Sequence, residues 1–143
     1  MWALIAFVSG ILLPIQAGLN TKLGKSIHSP VHASLISFAM GAIALIVYFV
    51  ITKQTAVAGG AKDAPSYEWI SGALGAFYVT ATILAFPHIG PALTFGLVVA
   101  GQMAISVLLD HFGILVMQSH PINIQRILGV ALIIGGVILI RKF

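Results

Sequence analysis

Polar side chains recur at four-residue intervals inside two long apolar stretches of the sequence. Gln16 and Asn20 are four residues apart in the first apolar stretch of the chain, and Gln102, Ser106 and Asp110 keep the same spacing in the fourth. Because residues four apart share one face of an α-helix, each set would form a stripe of hydrogen-bonding groups. Such a stripe suits a cavity for a polar or amphiphilic solute. It equally suits hydrogen bonds between helices, worth roughly 0.6–2 kcal/mol each in a membrane.

Two further residues are candidates for shaping such a cavity. Pro14 removes a backbone donor within the first apolar stretch and predicts a helix break, the feature that transporters use around their binding sites. Tyr78 lies in the third apolar stretch. It is a candidate cavity-lining residue, with packing between helices as the simpler interpretation.

Asp110 and its neighbour His111 need separate treatment, because a charged group at the centre of a bilayer is costly. Asp110 lies 18 residues beyond Ala92, which is about 27 Å along a helix and therefore near the far interface. Two interpretations stay open. The one we favour is an acid at a helix end, solvated or paired with an arginine, and the other is an ion pair or proton-coupling group. His111 projects about 100° away around the helix, so the two residues do not form a catalytic dyad.

The remaining titratable residues do not suggest an enzyme. Four histidines fall at the ends of apolar stretches or between them, without the spacing of a metal site: His28, His32, His88 and His120. No nucleophile and base share a helix face, and no cofactor motif is present. The sequence therefore predicts a protein that is not an enzyme and that carries no metal and no cofactor.

The composition decides what surrounds these polar residues. The chain has 143 residues, of which 59% are hydrophobic and 7% charged, with a mean hydropathy of +1.10. A domain of about this size buries only about 70% of the surface that its unfolded chain exposes. The surplus apolar surface must face lipid, so the lipid bilayer is a predicted partner. The net charge of +4 comes from basic residues at the ends of apolar stretches, and nucleic-acid binding is excluded on that ground.

Five stretches reach the length of about 20 apolar residues that a membrane-spanning helix needs. They predict an all-α integral membrane protein with a single five-helix domain over residues 1–143, and small residues at helical spacing, such as Ser34, Ser37 and Gly96, predict packing faces. The only long polar loop is 53–66. Residues 114–117 suit an interfacial turn, a short helix or an extension of the fourth helix. The predicted spans are about 2–20, 31–51, 69–86, 92–109 and 124–140.

An odd number of spans places the two chain ends on opposite sides of the membrane. The side of the N-terminus then holds three basic residues and the other side four, which gives almost no orientation bias. Orientation is therefore predicted to be weakly specified or mixed. The three are Lys53, Lys62 and Arg126, and the four are Lys22, Lys25, Arg141 and Lys142.

Five segments of the chain carry a resemblance to a known family: LPIQAGLNTKLG (13–24), SLISFAMGA (34–42), WISGALGAFYV (69–79), GQMAISVLLDHFG (101–113) and RILGVALIIGGV (126–137). They resemble the YdcZ-like inner-membrane exporters, compact bacterial members of the drug/metabolite transporter superfamily. The resemblance implies a multi-pass protein of the bacterial inner (plasma) membrane, equivalent to half of an inverted-repeat ten-helix transporter. Such a half needs an antiparallel copy of itself, in dual topology, or a homologous partner subunit.

The resemblance and the polar stripes together predict a small secondary exporter of a polar or amphiphilic molecule that works by alternating access. Its substrate-binding residues would be Gln16, Asn20, Tyr78, Gln102 and Ser106. The small multidrug members of the superfamily use a glutamate in the first helix, but the first span here has no acid, so cation/proton antiport is not carried over. The alternatives are a non-transporting scaffold and a subunit of a heterodimeric transporter.

Overall fold

Five long helices make up most of the chain. The computed structural model describes residues 1–53, 64–116 and 118–143, and the regular elements within these ranges are all helical. A 3-10 turn, Ser66–Ile70, leads into the third long helix, and each of the five is long and apolar enough to cross a membrane. The prediction of an all-α membrane protein with five spanning helices is confirmed. The helices are α1 (Trp2–Ser26), α2 (Pro30–Thr52), α3 (Ser71–Ile89), α4 (Pro91–Phe112) and α5 (Ile124–Lys142).

Helix α1 differs from its prediction in two ways. It extends to Ser26, beyond the predicted end near residue 20, because hydropathy marks where the chain leaves the hydrocarbon and not where helical hydrogen bonding stops. It also runs without interruption through Pro14, so the predicted helix break is not present. A proline removes only one backbone hydrogen bond, and membrane helices tolerate that loss.

The connections carry recognisable cap chemistry. Ser29 caps α2 by accepting a hydrogen bond from the backbone N–H of His32 at 3.3 Å. Helix α4 ends at Gly113, whose φ of 65° is the left-handed conformation that favours glycine. Residues 114–116 are not helical, so the chain turns here and α4 is not extended. Met117 and residues 54–63 of the predicted polar loop lie outside the described residues.

The helices group into two compact units, Met1–His88 and Ile89–Phe143. The first unit contains α1, α2 and nearly all of α3, and its buried core consists of Ala33, Val79 and Ile83. Gly24 of α1 lies beside this core, and a Cβ there would be in ordinary van der Waals contact with Ala33 and Ile83, at 3.5 Å from each. The prediction of a single domain over the whole chain stays a prediction.

The second unit is a pair of antiparallel helices. Gly96, near the start of α4, lies against Val137, near the end of α5, and a Cβ on Gly96 would come within 3.1 Å of Val137 Cγ2. Val137 is buried. Gly96 is thus a point of close helix approach, as the small-residue spacing predicted.

Replacing Gly96 with alanine is expected to destabilise the α4–α5 pair. The added methyl group meets Val137, whose β-branched side chain has little rotamer freedom in a helix, and overpacking of this kind costs about 1–3 kcal/mol. Gly101→Ala is the matched control, since a Cβ at Gly101 meets nothing within 4 Å. The measurement is reversible unfolding of the purified protein in detergent. The double variant Gly96→Ala/Val137→Ala should recover stability relative to Gly96→Ala, and an unchanged deficit would contradict the steric explanation.

Candidate solute-binding site

The first unit contains a polar seam between α1 and α2. Asn20 is buried, with 8% of its surface exposed, and its Nδ2 donates a hydrogen bond to Ser37 Oγ at 3.1 Å. One turn earlier on α1, Gln16 lines an open cleft of about 330 Å³ together with Ser37, Phe38 and Gly41. The Gln16 side chain is exposed and forms no hydrogen bond with any residue that the structure describes. The polar seam therefore contains one amide with a hydrogen-bond partner, that of Asn20, and one exposed amide without a partner among the described residues, that of Gln16.

A second polar contact joins α2 to α3. The Ser34 hydroxyl donates to the carbonyl oxygen of Pro30 at 3.1 Å, which leaves its oxygen free to accept. Thr80 Oγ1 lies 2.8 Å from Ser34 Oγ and 2.8 Å from the Ala76 carbonyl oxygen. A hydroxyl has one hydrogen, so Thr80 can donate to only one of these acceptors at a time. The Ser34–Thr80 contact joins α2 to α3, and the Thr80 hydroxyl has an alternative acceptor in the Ala76 carbonyl oxygen of its own helix.

Tyr78 belongs to the core of the first unit. It packs against the buried cluster of Ala33, Val79 and Ile83, and its phenol oxygen is buried without a hydrogen-bond partner among the described residues. The residues that line the α1–α2 cleft do not include it. A role for Tyr78 in substrate binding stays a prediction.

Gln102 and Ser106 lie on α4 in the second unit, and both side chains are exposed. Neither forms a side-chain hydrogen bond with residues 1–53, 64–116 or 118–143. Gln102 is 11 residues after Pro91 in a helix of 22 residues, about 16 Å along its axis and therefore near mid-membrane. The predicted stripe on α4 consequently presents an exposed amide near the middle of the helix and an exposed hydroxyl one turn further on.

Asp110, at the end of the same stripe, is engaged in an ion pair. Arg126 Nη2 lies 3.0 Å from Asp110 Oδ2, and each side chain is 30% exposed. The second terminal nitrogen of the guanidinium group, Nη1, donates to the carbonyl oxygen of His120 at 3.1 Å. The backbone N–H of His120 in turn donates to the carbonyl oxygen of Asp110 at 3.0 Å. Arg126 thereby links the end of α4 to His120, shortly before α5.

His111 contributes to the same connection. Its Nδ1 lies 3.2 Å from the backbone nitrogen of Ile122 and accepts a hydrogen bond from that N–H. Asp110 and His111 both stabilise the α4–α5 connection. A role for either in ion coupling stays a prediction.

Three partners were not identified from the sequence as members of the site. Ser37 was assigned only to a packing face, although its position in a small-residue pattern facing Asn20 is the signal that a hydroxyl was available to the amide. Thr80 had no signal beyond its place in a span. For Arg126 the sequence did contain a signal, since it is the only basic residue at the start of α5 and was therefore a candidate partner for Asp110. No cluster of three metal-binding side chains occurs among the described residues.

The chain matches a family model over residues 1–139, and the family is described as "Putative inner membrane exporter, YdcZ". The chain belongs to the YdcZ family. A relative in Escherichia coli (strain K12), "Inner membrane protein YdcZ", is 28% identical over 142 residues, which cover 94% of this chain and 91% of that protein. No solved structure matches the chain at a significant level.

Membership of the YdcZ family confirms the resemblance seen in the sequence. It places this five-helix chain in an inner membrane as a multi-pass protein and supports a function in transport. The family is described as an exporter, which is not a class of enzyme. The prediction that the chain is not an enzyme stays a prediction.

Proposed function

We propose that the chain is a small secondary exporter of a polar or amphiphilic molecule, and that two copies in opposite orientations form the transporting unit. The observation that carries this proposal is the exposure of Gln16 and Gln102, two amides without partners among the described residues, on helices suited to spanning a membrane. Ser106 extends the exposed polar face on α4.

An exposed amide is expensive where α1 and α4 face acyl chains. Removing an amide from water without a compensating hydrogen bond costs roughly 2–7 kcal/mol, depending on the reference solvent. Two such amides in one chain of this size require cover, either by protein or by a water-filled cavity. A second copy packed against α1 or against α4 would supply such cover for the amide on that helix.

The chemistry of these groups indicates the class of substrate. Gln16, Ser37, Gln102 and Ser106 are neutral and both donate and accept hydrogen bonds, while the walls of the α1–α2 cleft are otherwise apolar. Such a lining favours molecules that combine hydroxyl, amide or amine groups with an apolar part. Alternating access by rocking of one five-helix subunit against the other is the mechanism that inverted assemblies use.

The test is solute flux in proteoliposomes that contain the purified protein. A panel of radiolabelled amphiphilic amines, amides and organic acids serves as the probe, compared with protein-free liposomes. We expect at least one member to accumulate, and we expect Gln16→Ala and Gln102→Ala each to lower its flux by about tenfold, the effect of losing roughly 1.4 kcal/mol of binding. Ser9→Ala is the matched control, because the Ser9 hydroxyl is exposed on α1 and donates to its own helix at Ile5 O, 2.8 Å away.

Two outcomes would contradict the proposal. Unchanged flux in both glutamine variants would show that these amides do not form the site. No flux of any probe, together with lower thermal stability of the same variants, would favour a scaffold in which the amides only join helices. The contact of Asn20 with Ser37 is already of that kind.

A further inference from the structure

A small cleft lies at one end of the first unit, where α1 ends, α2 begins and α3 ends. Its volume is about 140 Å³. One water molecule occupies about 30 Å³ in the liquid, so the cleft can hold a small chemical group with several waters. It is distinct from the cleft that Gln16 lines. The lining includes Thr21, Gly24, Lys25, Pro30, Pro87 and His88.

Thr21 has a hydroxyl without a hydrogen-bond partner among the residues that the structure describes. Only 7% of the residue is exposed, and its Oγ1 is buried with no hydrogen bond to any described residue. Threonines elsewhere in the helices do not share this property. Thr52 and Thr94 each donate to a carbonyl oxygen four residues earlier, and Thr80 has two acceptors within 2.8 Å. Because a buried polar group without a partner is costly, Thr21 calls for a partner beyond the described residues of the first unit.

The charges around the cleft favour an anion. Lys25 contributes an ammonium group. His88 also lines the cleft, and its Nδ1 donates to the Leu84 carbonyl oxygen at 2.7 Å. Lys22, His28 and His32 are on the same end of the first unit. The one described acid of this unit, Glu68, precedes α3 and is separated from His88 by about 30 Å of helix.

We propose that this cleft binds a phosphate group, carried either by an anionic phospholipid of the surrounding leaflet or by a soluble phosphate compound. A phosphate offers several acceptor oxygens, so it can accept from the Thr21 hydroxyl and contact the Lys25 ammonium at the same time. Basic pockets between helices at the membrane surface are suited to lipid headgroups. The proposal does not depend on transport.

The test measures thermal unfolding of the full chain in a neutral detergent. One arm adds phosphatidylglycerol, with phosphatidylcholine as its comparison, and the other adds sodium phosphate, with sodium chloride at equal ionic strength as its comparison. We expect phosphatidylglycerol, sodium phosphate or both to raise the Tm by about 5 °C at saturating concentration. A shift with the lipid alone assigns the group to a headgroup, and a shift with sodium phosphate assigns it to a soluble compound.

Three variants separate the site from general attraction between charges. Lys25→Gln and Thr21→Val should each remove most of the shift. Lys22→Gln, which removes a charge from the same helix end but not from the cleft, should keep it. Thr21→Val should also leave the Tm without ligand unchanged or raised, because it removes the unpartnered hydroxyl. Where Thr21→Val fails to fold, Thr21→Ala takes its place.

The proposal is overturned if neither phosphate source shifts the Tm more than its comparison. It is also overturned if Lys22→Gln loses as much of the shift as Lys25→Gln, since the attraction would then be diffuse. A full shift retained by Thr21→Val is equally contrary to it. Lys25→Arg, which keeps the charge, should restore at least half of the shift.

Discussion

A reporter fused after Phe143 is expected to appear on both sides of the membrane when the wild-type chain is expressed. The orientation of a multi-pass protein follows the distribution of lysine and arginine among its short loops. Here the two sides carry three and four basic residues, so neither orientation has an advantage. An antiparallel dimer of one chain requires this balance.

Two sets of substitutions should each fix the orientation. Changing Lys53 and Lys62 to glutamine leaves one basic residue on the side of the N-terminus against four on the other. Changing Lys22, Arg141 and Lys142 to glutamine leaves three against one in the opposite sense. We expect the reporter to move from a mixed location to nearly complete location on one side in the first set, and to the reverse side in the second.

Each biased variant alone should lose transport of the probe that the wild type carries, because its copies all point the same way. Co-expression of the two variants should restore transport, since oppositely oriented copies are present again. Arg126 and Lys25 are unchanged in both sets, so the ion pair and the phosphate cleft remain intact. Full transport by one biased variant alone would contradict the antiparallel dimer, and a single location of the wild-type reporter would point to a homologous partner subunit.

The five-helix fold could be predicted from the sequence because hydropathy alone determines which segments need lipid. The ends of the helices could not, since they depend on backbone conformation and cap chemistry. Helix α1 continues through polar residues as far as Ser26. The turn after α4 depends on the positive φ of Gly113. A glycine permits this conformation, but its presence in the sequence does not show that the conformation is adopted.

The candidate site was predictable only as stripes on single helices. Four-residue spacing identified Gln16, Asn20, Gln102 and Ser106, because that relation is local in sequence. Their surroundings are tertiary properties. The acceptor of Asn20 is 17 residues away, and the unpartnered state of Thr21 depends on how three helices cover it. Spacing along one helix contains no information of that kind.

Replacing Arg126 with glutamine is expected to lower the free energy of unfolding by about 1–3 kcal/mol. Breaking a fully buried ion pair costs about 3–5 kcal/mol, whereas an exposed pair contributes about 0.2–1 kcal/mol. Asp110 and Arg126 are each 30% exposed and lie between these limits. The variant also loses the bond to the His120 carbonyl oxygen. Arg141→Gln is the control, because Arg141 is an exposed arginine of α5 without an ion pair among the described residues.

A double-mutant cycle with Asp110→Asn distinguishes a structural role for this pair from a role in ion coupling. If the pair only holds α4 to α5, the effect of the double variant on stability should differ from the sum of the two single effects by about 0.5 kcal/mol or more. Flux should then fall in parallel with stability. An effect on stability that is strictly additive would contradict the observed pairing. Loss of flux in Asp110→Asn at unchanged stability would instead assign the carboxylate to coupling, because the asparagine keeps an acceptor for Arg126 but cannot carry a proton or a charge.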